Sequence, residues 1–412
     1  MARGVSQLVR GPIARGLALA ALALVGACAP KPATDSDTLK IGLLLPFTGT
    51  SAATSYDFER ATLYARDEVN KGGGIEGHRL EVVSADTHSD LARARESVNA
   101  LIAEGVHVVI GPESAEIAAD IKPMLDANGI VFLSPLVGAA DDTVVDCTVP
   151  WFRLAPSART LGEALAKQAN GDQAASAALF HSEGAYDVAL ATAFQNRFTS
   201  LGGTIVVDDL MPSTAQSYAG SIPAAQLALV DSIVLSTTPR SGALLVNELS
   251  FVDPTKSRWY LSPLLKTDLL VENVAPGALE GAEGVTPKIF DPTADFPTSF
   301  AEHWDGDQPL DGAYFYYDAM ALVAFGLERA ILADPDLGAP ALRAGITAST
   351  GDHGESGDWD EMVDSIKRLH AGMDMNYSGL TGPMLLQDCG GRRFGESVTW
   401  TIRAGEIEIQ QD

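Results

Sequence analysis

Along residues 39–135 the chain alternates short apolar runs with segments whose apolar positions recur every three or four residues. LKIGLLLPFTG, RLEVVSAD, VHVVIGP and IVFLSP read as strands, and TSYDFERATLYARDEVNK, DLARARESVNALIAEG and ESAEIAADIKPMLDANG as the helices between them. A strand covered on both faces is a short continuous apolar run, whereas a surface helix shows one apolar stripe. The alternation therefore predicts βαβ units around a parallel sheet. Gly72, Gly73 and Gly74 stop the long helix, where a left-handed residue is needed, and Gly77 supplies the next tight turn. This glycine cluster follows a helix and precedes a strand, the reverse of a phosphate-binding loop.

The pattern restarts after Phe152-Arg153-Leu154-Ala155-Pro156-Ser157. AALFHS, a helix over residues 185–201, TIVVDDLMP and SIVLSTT make a second array of the same kind. A later helix is predicted over residues 317–330, and residues 349–377 read as loop apart from the short helix EMVDSIKRLH.

Upstream, residues 1–27 hold Arg3, Arg10 and Arg15, no acid, and the apolar run LALAALALVGA immediately before Cys28. That is the shape of a secretory signal, too short to remain as a membrane-spanning helix. Val25-Gly26-Ala27-Cys28 also resembles the lipobox of bacterial lipoproteins, in which cleavage leaves Cys28 as an acylated first residue; the other reading is a plain signal peptide with an incidental cysteine. APKPATDSDT then reads as a flexible tether, so residues 28–38 carry the anchor.

Removing the leader leaves 385 of the 412 residues, ample for two domains with their own cores. Loss of its three arginines takes the formal charge from −26 to −29, which argues against nucleic acid or an anionic membrane surface as partner. With Cys28 acylated, Cys147 and Cys389 remain in an oxidising compartment, where an even number favours a disulfide over two buried thiols. Closing so long a loop is worth about 4–5 kcal/mol before strain.

In an open parallel sheet, ligands bind beyond the carboxyl ends of the strands. Those ends are Thr48-Gly49, Gly111-Pro112-Glu113-Ser114 and the stretch from Leu133 to Gly138. Ser114 opens a helix, so its hydroxyl and the neighbouring N–H groups either receive a carboxylate or simply cap the helix. Asp86-Thr87-His88-Ser89-Asp90 lies at a strand-to-helix junction, where such residues are ordinary caps rather than metal ligands. No G-x-S-x-G and no H-E-x-x-H occurs, the seven histidines are not paired, and Asp141-Asp142 and Asp208-Asp209 fall at turns and edges. Neither an enzyme, a cofactor nor a metal site is expected.

IGLLLPFTG, DEVNKGGGIEGHRLEVVSAD, VVIGPESAE, VFLSP and WFRLAPSARTLGEALAKQA are followed by GAYDVALATAFQNRFTSLGGTIV, DSIVLSTTP, ALEGAEGV, YYDAMALVAFGLERA and GLTGPMLLQDCGGR. In order and spacing this resembles the Leu/Ile/Val-binding type of periplasmic binding protein, the branched-chain amino acid receptors of ABC importers. The resemblance covers residues 39–403. It implies an α/β fold of two Rossmann-like lobes with parallel sheets, joined by three hinge crossovers and closing on a ligand. Lobe one would comprise residues 39–154 and 283–385, and lobe two residues 155–282 and 386–412. The implied partners are a small-molecule solute and an importer permease, for a monomer that meets the membrane only through its lipid anchor.

The resemblance also implies site residues. Ser114, with Ala115 beside it, matches the serine that receives the ligand carboxylate, and Tyr186 matches the tyrosine at the mouth of lobe two. Leu136, flanked by Ser134 and Val137, falls where backbone groups face the ligand. Gly138 departs from the pattern, standing where a threonine helps to hold the α-carboxylate and ammonium. Pro263 or Leu264 stands where an acid neutralises the ammonium. Thr237, Thr238 and Thr54 take positions where aromatics are common. Burying an unpaired ammonium is expensive, so an ordinary α-amino acid fits poorly and a different small molecule is expected. Two functions remain open: the substrate-binding lipoprotein of an importer, or a tethered sensor or activator of an envelope partner. Ala29, which follows the anchor cysteine, is not the Asp associated with inner-membrane retention and leaves the membrane undecided.

Overall fold

A computed structural model describes residues 38–49, 51–138, 149–212, 214–220, 230–249, 257–290, 295–351, 353–387, 390–392 and 395–410. The anchor expected at Cys28 and the bond expected between Cys147 and Cys389 lie outside these residues.

The first sheet holds β1 (Thr38–Leu45), β2 (Arg79–Asp86), β3 (Val108–Ile110), β4 (Val131–Ser134) and β5 (Phe152–Arg153). Its order is β2-β1-β3-β4-β5, parallel throughout, with β1 and β2 in register from Thr38–Arg79 to Leu45–Asp86. Successive side chains take opposite faces. Ile41, Leu43 and Leu45 pack in one core with α1 (Ser55–Gly72), while Leu44 and Val109 pack in another with α2 (Leu91–Glu104) and α3 (Ala115–Ala127). Both faces are covered, which is why these strands read as unbroken apolar runs. Gly74 follows α1 with φ +78, and a Cβ there would lie 2.1 Å from the His78 carbonyl, so the turn requires glycine.

The second sheet contains β6 (Ser176–Ser182), β7 (Thr204–Met211), β8 (Ser232–Ser236), β9 (Arg258–Leu261), β10 (Glu283–Pro287), β14 (Ser397–Arg403) and β15 (Glu406–Ile409). Its order is β15-β14-β10-β9-β8-β6-β7. Strands β6 to β10 are mutually parallel, and the terminal hairpin adds antiparallel to β10. On one face lie α4 (Ala158–Gly171) and α5 (Ala185–Ser200), and on the other the helix Pro239–Leu249. The return to lobe one expected at residue 283 comes later, because β10 still belongs to the second sheet. Gly284 makes the pairing possible, since a Cβ there would lie 2.4 Å from the buried Trp400 ring.

The predicted helix over residues 317–330 extends at both ends to Asp311–Ala333 and is buried nearly all round, as expected of a helix at the centre of a lobe. Residues 349–377 hold more than the predicted helix. β11 (Glu355–Gly357), β12 (Met375–Gly379) and β13 (Gly382–Pro383) form a small sheet beside the helix Met362–His370. Strands of two to five residues rich in Gly, Ser and Asn carry no readable period.

The chain passes between the sheets after β5, after β10 and after β13. The three crossovers lie side by side: Arg153 N donates to the Gly390 carbonyl at 2.8 Å, Lys288 N to that of Glu396 at 2.9 Å, and Phe290 N to that of Leu380 at 2.9 Å. Arg392 is 6% exposed and stitches the first crossover to the third. Its Nη1 donates to the Leu154 carbonyl at 3.1 Å and to Thr381 Oγ1 at 3.2 Å, and its Nη2 donates to the carbonyls of Thr381 and Pro383. Burial lowers this guanidinium to about 10.

Candidate functional site

The expected site residues of lobe one fall at the carboxyl ends of β3 and β4. Ser114 is the half-buried N-cap of α3, and its hydroxyl oxygen accepts from Ile117 N at 3.3 Å. Its hydroxyl proton is not used by the cap, so capping does not exclude binding. Ala115, the first residue of α3, is exposed. Ser134 is buried and committed elsewhere: it accepts from Trp151 Nε1 at 2.9 Å and donates to the Gly111 carbonyl at 3.4 Å. Val137 packs into the core beside α2 and α3. Leu136 is half-buried, and its Cδ1 lies 3.2 Å from where a Cβ of Gly312 would stand, at the start of the long helix. Thr54, half-buried, precedes α1 and makes no capping bond. Gly138 has a clear reason for its departure: a Cβ there would meet the Pro156 carbonyl of the first crossover at 2.2 Å. A threonine side chain would displace the hinge backbone.

In lobe two, Tyr186 lies in the first turn of α5 and packs against the core beneath that helix; burial pushes its hydroxyl pKa up. Thr237 is buried and hydrogen-bonded to Ser182, while exposed Thr238 accepts from Ser241 N at 3.4 Å, capping the helix Pro239–Leu249. Both hydroxyls thus have internal partners. Pro263 opens the short turn Pro263–Leu265 that follows β9.

Two residues outside the sequence-derived set belong with these. Lys266, three residues beyond Pro263, has a side chain only 13% exposed and pairs with Asp311, the first residue of the long helix. The pair joins lobe two to lobe one beside Gly312 and Leu136. Glu113, immediately before Ser114, is half-buried, and among the described residues its Oε2 has no hydrogen-bond partner. Burial pushes this carboxyl up to about 7. Glu113 lies in a strand end that the sequence marks and Lys266 three residues after Pro263, but nothing in the sequence shows which neighbours they meet.

A pocket of about 690 Å³ lies elsewhere on lobe two, between the helices Pro239–Leu249 and Asp268–Asn273, lined by Gln216, Arg240, Asn247 and Asn273 among others. Asp86 accepts from Thr48 N at 3.2 Å, Thr48 Oγ1 at 2.7 Å and His88 N at 2.7 Å, and Asp90 caps α2, in keeping with the capping role read for this segment.

The family model for periplasmic binding proteins matches residues 38–362. The chain belongs to the periplasmic binding protein family. It is 27% identical over 227 residues to the Leu/Ile/Val-binding protein BraC3 of Rhizobium johnstonii, an alignment covering 55% of this chain and 61% of that one. It is 24% identical over 358 residues to a leucine-, isoleucine-, valine-, threonine- and alanine-binding protein of Pseudomonas aeruginosa, covering 85% and 94% of the two chains. The leucine-binding protein LivK of Thermotoga maritima shares the fold with a TM-score of 0.73 at 20% identity, over 91% of this chain and 98% of that one. The family and fold are those of extracytoplasmic solute-binding proteins rather than enzymes. Among the described residues no helix is long and apolar enough to cross a membrane.

Proposed function

We propose that this chain is the receptor of an ABC-type importer, a lipid-anchored protein that captures a small carboxylate-bearing solute between its lobes and presents it to a membrane permease. The observation that carries the reading is the Lys266–Asp311 pair, which joins the segment after β9 to lobe one beside Leu136. A helix N-terminus with a serine cap favours a carboxylate through its aligned N–H groups. Lys266, paired with Asp311, stands three residues after Pro263, where the resemblance implies an acid, and Gly138 has no room for the threonine that would help to hold an amine. The names of the relatives, as receptors of branched-chain and other amino acids, support a solute of that size bearing a carboxylate. Anchoring at Cys28 and a bond between Cys147 and Cys389 belong to the same reading; intact mass of the mature protein, with and without reductant and alkylation, tests both.

The decisive experiment is thermal unfolding against matched pairs: amino acids, the corresponding acids without the amine, amides, short peptides and nucleosides. A ligand at about a hundred times its dissociation constant adds roughly 2.7 kcal/mol. A saturable shift with the deaminated acids is expected. A shift with amino acids alone refutes the ligand class while keeping the receptor. No shift with any compound sinks the receptor in favour of the sensor or activator.

A further inference from the structure

Lobe one gathers Glu76, Glu328 and His370 from three separate segments. Glu76 stands in the turn after α1, Glu328 on the helix Asp311–Ala333, and His370 ends the helix Met362–His370. One oxygen or nitrogen of each lies within 4.8 Å of the other two. His370 Nδ1 contacts Glu76 Oε1 and stands 3.4 Å from Glu328 Oε1. Glu328 is 1% exposed, and among the described residues neither of its oxygens has a well-aligned hydrogen-bond partner, the nearest donors being the Glu76 N–H and His370 Nδ1. A carboxylate shut away from water without well-aligned donors is costly. His370 offers at most one positive charge to two acids, and its side chain is 60% exposed.

We propose that Glu76, Glu328 and His370 form a binding site for a divalent metal ion of the zinc type. Two carboxylates and a neutral imidazole carry two negative charges, which a divalent ion balances while satisfying the oxygens of Glu328 that lack well-aligned donors. Zinc accepts this mixed nitrogen and oxygen set with bonds of about 2.0–2.2 Å, which places tetrahedral donors roughly 3.4 Å apart. The exposed imidazole and the half-buried Glu76 can close onto Glu328, and water from the solvent side completes the shell. Calcium and magnesium require more oxygen ligands than these three residues supply. Glu328 lies 17 residues along the helix from Asp311, about 25 Å at a rise of 1.5 Å per residue. The ion therefore fastens the turn at Glu76 and the helix Met362–His370 to the centre of lobe one without touching a solute in the cleft, and the inference stands apart from the ligand class.

Chelator-stripped protein is titrated calorimetrically with zinc alone, with magnesium and calcium as controls, and its metal content and thermal midpoint are measured. One zinc per chain and a raised midpoint are expected, with affinity falling by about tenfold or more in His370→Ala and in Glu328→Gln. His370→Ala alters an exposed side chain, so it decides the matter even where Glu328→Gln fails to fold. Absence of saturable zinc binding, or zinc binding that His370→Ala leaves unweakened, overturns the site.

Discussion

The helix Asp311–Ala333 buries two carboxylates ten residues apart, and the structure surrounds them in opposite ways. Asp318 accepts four hydrogen bonds: from the Tyr377 hydroxyl at 2.7 Å, Leu380 N at 2.9 Å, Thr381 N at 2.8 Å and Thr381 Oγ1 at 2.7 Å. Burial raises its pKa while all four donors pull it down. Gly379 permits the approach, since a Cβ there would lie 2.4 Å from the Asp318 carboxyl. Through Thr381 the acid reaches Arg392, so Asp318 fixes the third crossover to lobe one. Glu328 has no well-aligned hydrogen bond among the described residues. Similar burial thus accompanies two unlike surroundings: a carboxylate encircled by donors holds backbone in place, and one without well-aligned donors suits a cation.

Neutralising both residues without changing their shape breaks or sharpens this contrast most directly. Asp318→Asn turns an amide N–H₂ toward existing donors and should cost about 2–4 kcal/mol in denaturant unfolding of metal-free protein. Glu328→Gln loses no well-aligned hydrogen bond and should stay within about 1 kcal/mol of the parent. Equal losses at the two positions would show that donor count does not distinguish them.

Glu113 extends the comparison to the cleft, being a half-buried acid whose Oε2 has no partner among the described residues. Its pKa rises from 4.5 in ordinary surroundings to about 7 in the fold, so the folded state binds its proton more tightly than the unfolded chain does. The stabilisation is complete below about pH 4.5 and is lost as pH rises through about 7. Allowing for its partial exposure, stability should fall by about 1–2 kcal/mol between about pH 5 and pH 8, and Glu113→Gln should flatten that slope. An unchanged slope would place the titration elsewhere.

The smallest effect is expected at the lobe-to-lobe pair. Lys266→Ala should change the stability of the solute-free protein by less than about 1 kcal/mol, because Asp311 is half exposed and its charge screened. The same substitution should weaken the solute identified by the thermal screen. A large loss of stability with intact solute affinity would make Lys266 a structural residue instead.

Much of the fold was legible in the chain. β2 was read to the residue, and α1, α2 and α3 to within two residues at each end, because both faces of the first sheet are covered and its helices keep one apolar stripe. β10 was assigned to the wrong lobe because GVTP is the same run whichever sheet receives it, and only the contact of Gly284 with Trp400 decides. Of the candidate site, the helix opening at Ser114 was legible, and the structure adds that Gly138 lies against the Pro156 carbonyl. The engagement of Ser134 with Trp151 and of Thr237 with Ser182 was not visible, since hydrogen-bond partners 17 and 55 residues away leave no local pattern.

The sequence by itself determined the alternation of strands and helices and the two successive arrays, because periodicity and turn chemistry act over a few residues, and the order of its motifs carries the resemblance to the family. The tertiary structure alone decided that Arg392 ties the crossovers together, that Lys266 meets Asp311, and that Glu76, Glu328 and His370 converge. Each of these depends on side chains that folding brings from distant segments into one low-dielectric place, where charge and desolvation, rather than sequence spacing, set what the residues do.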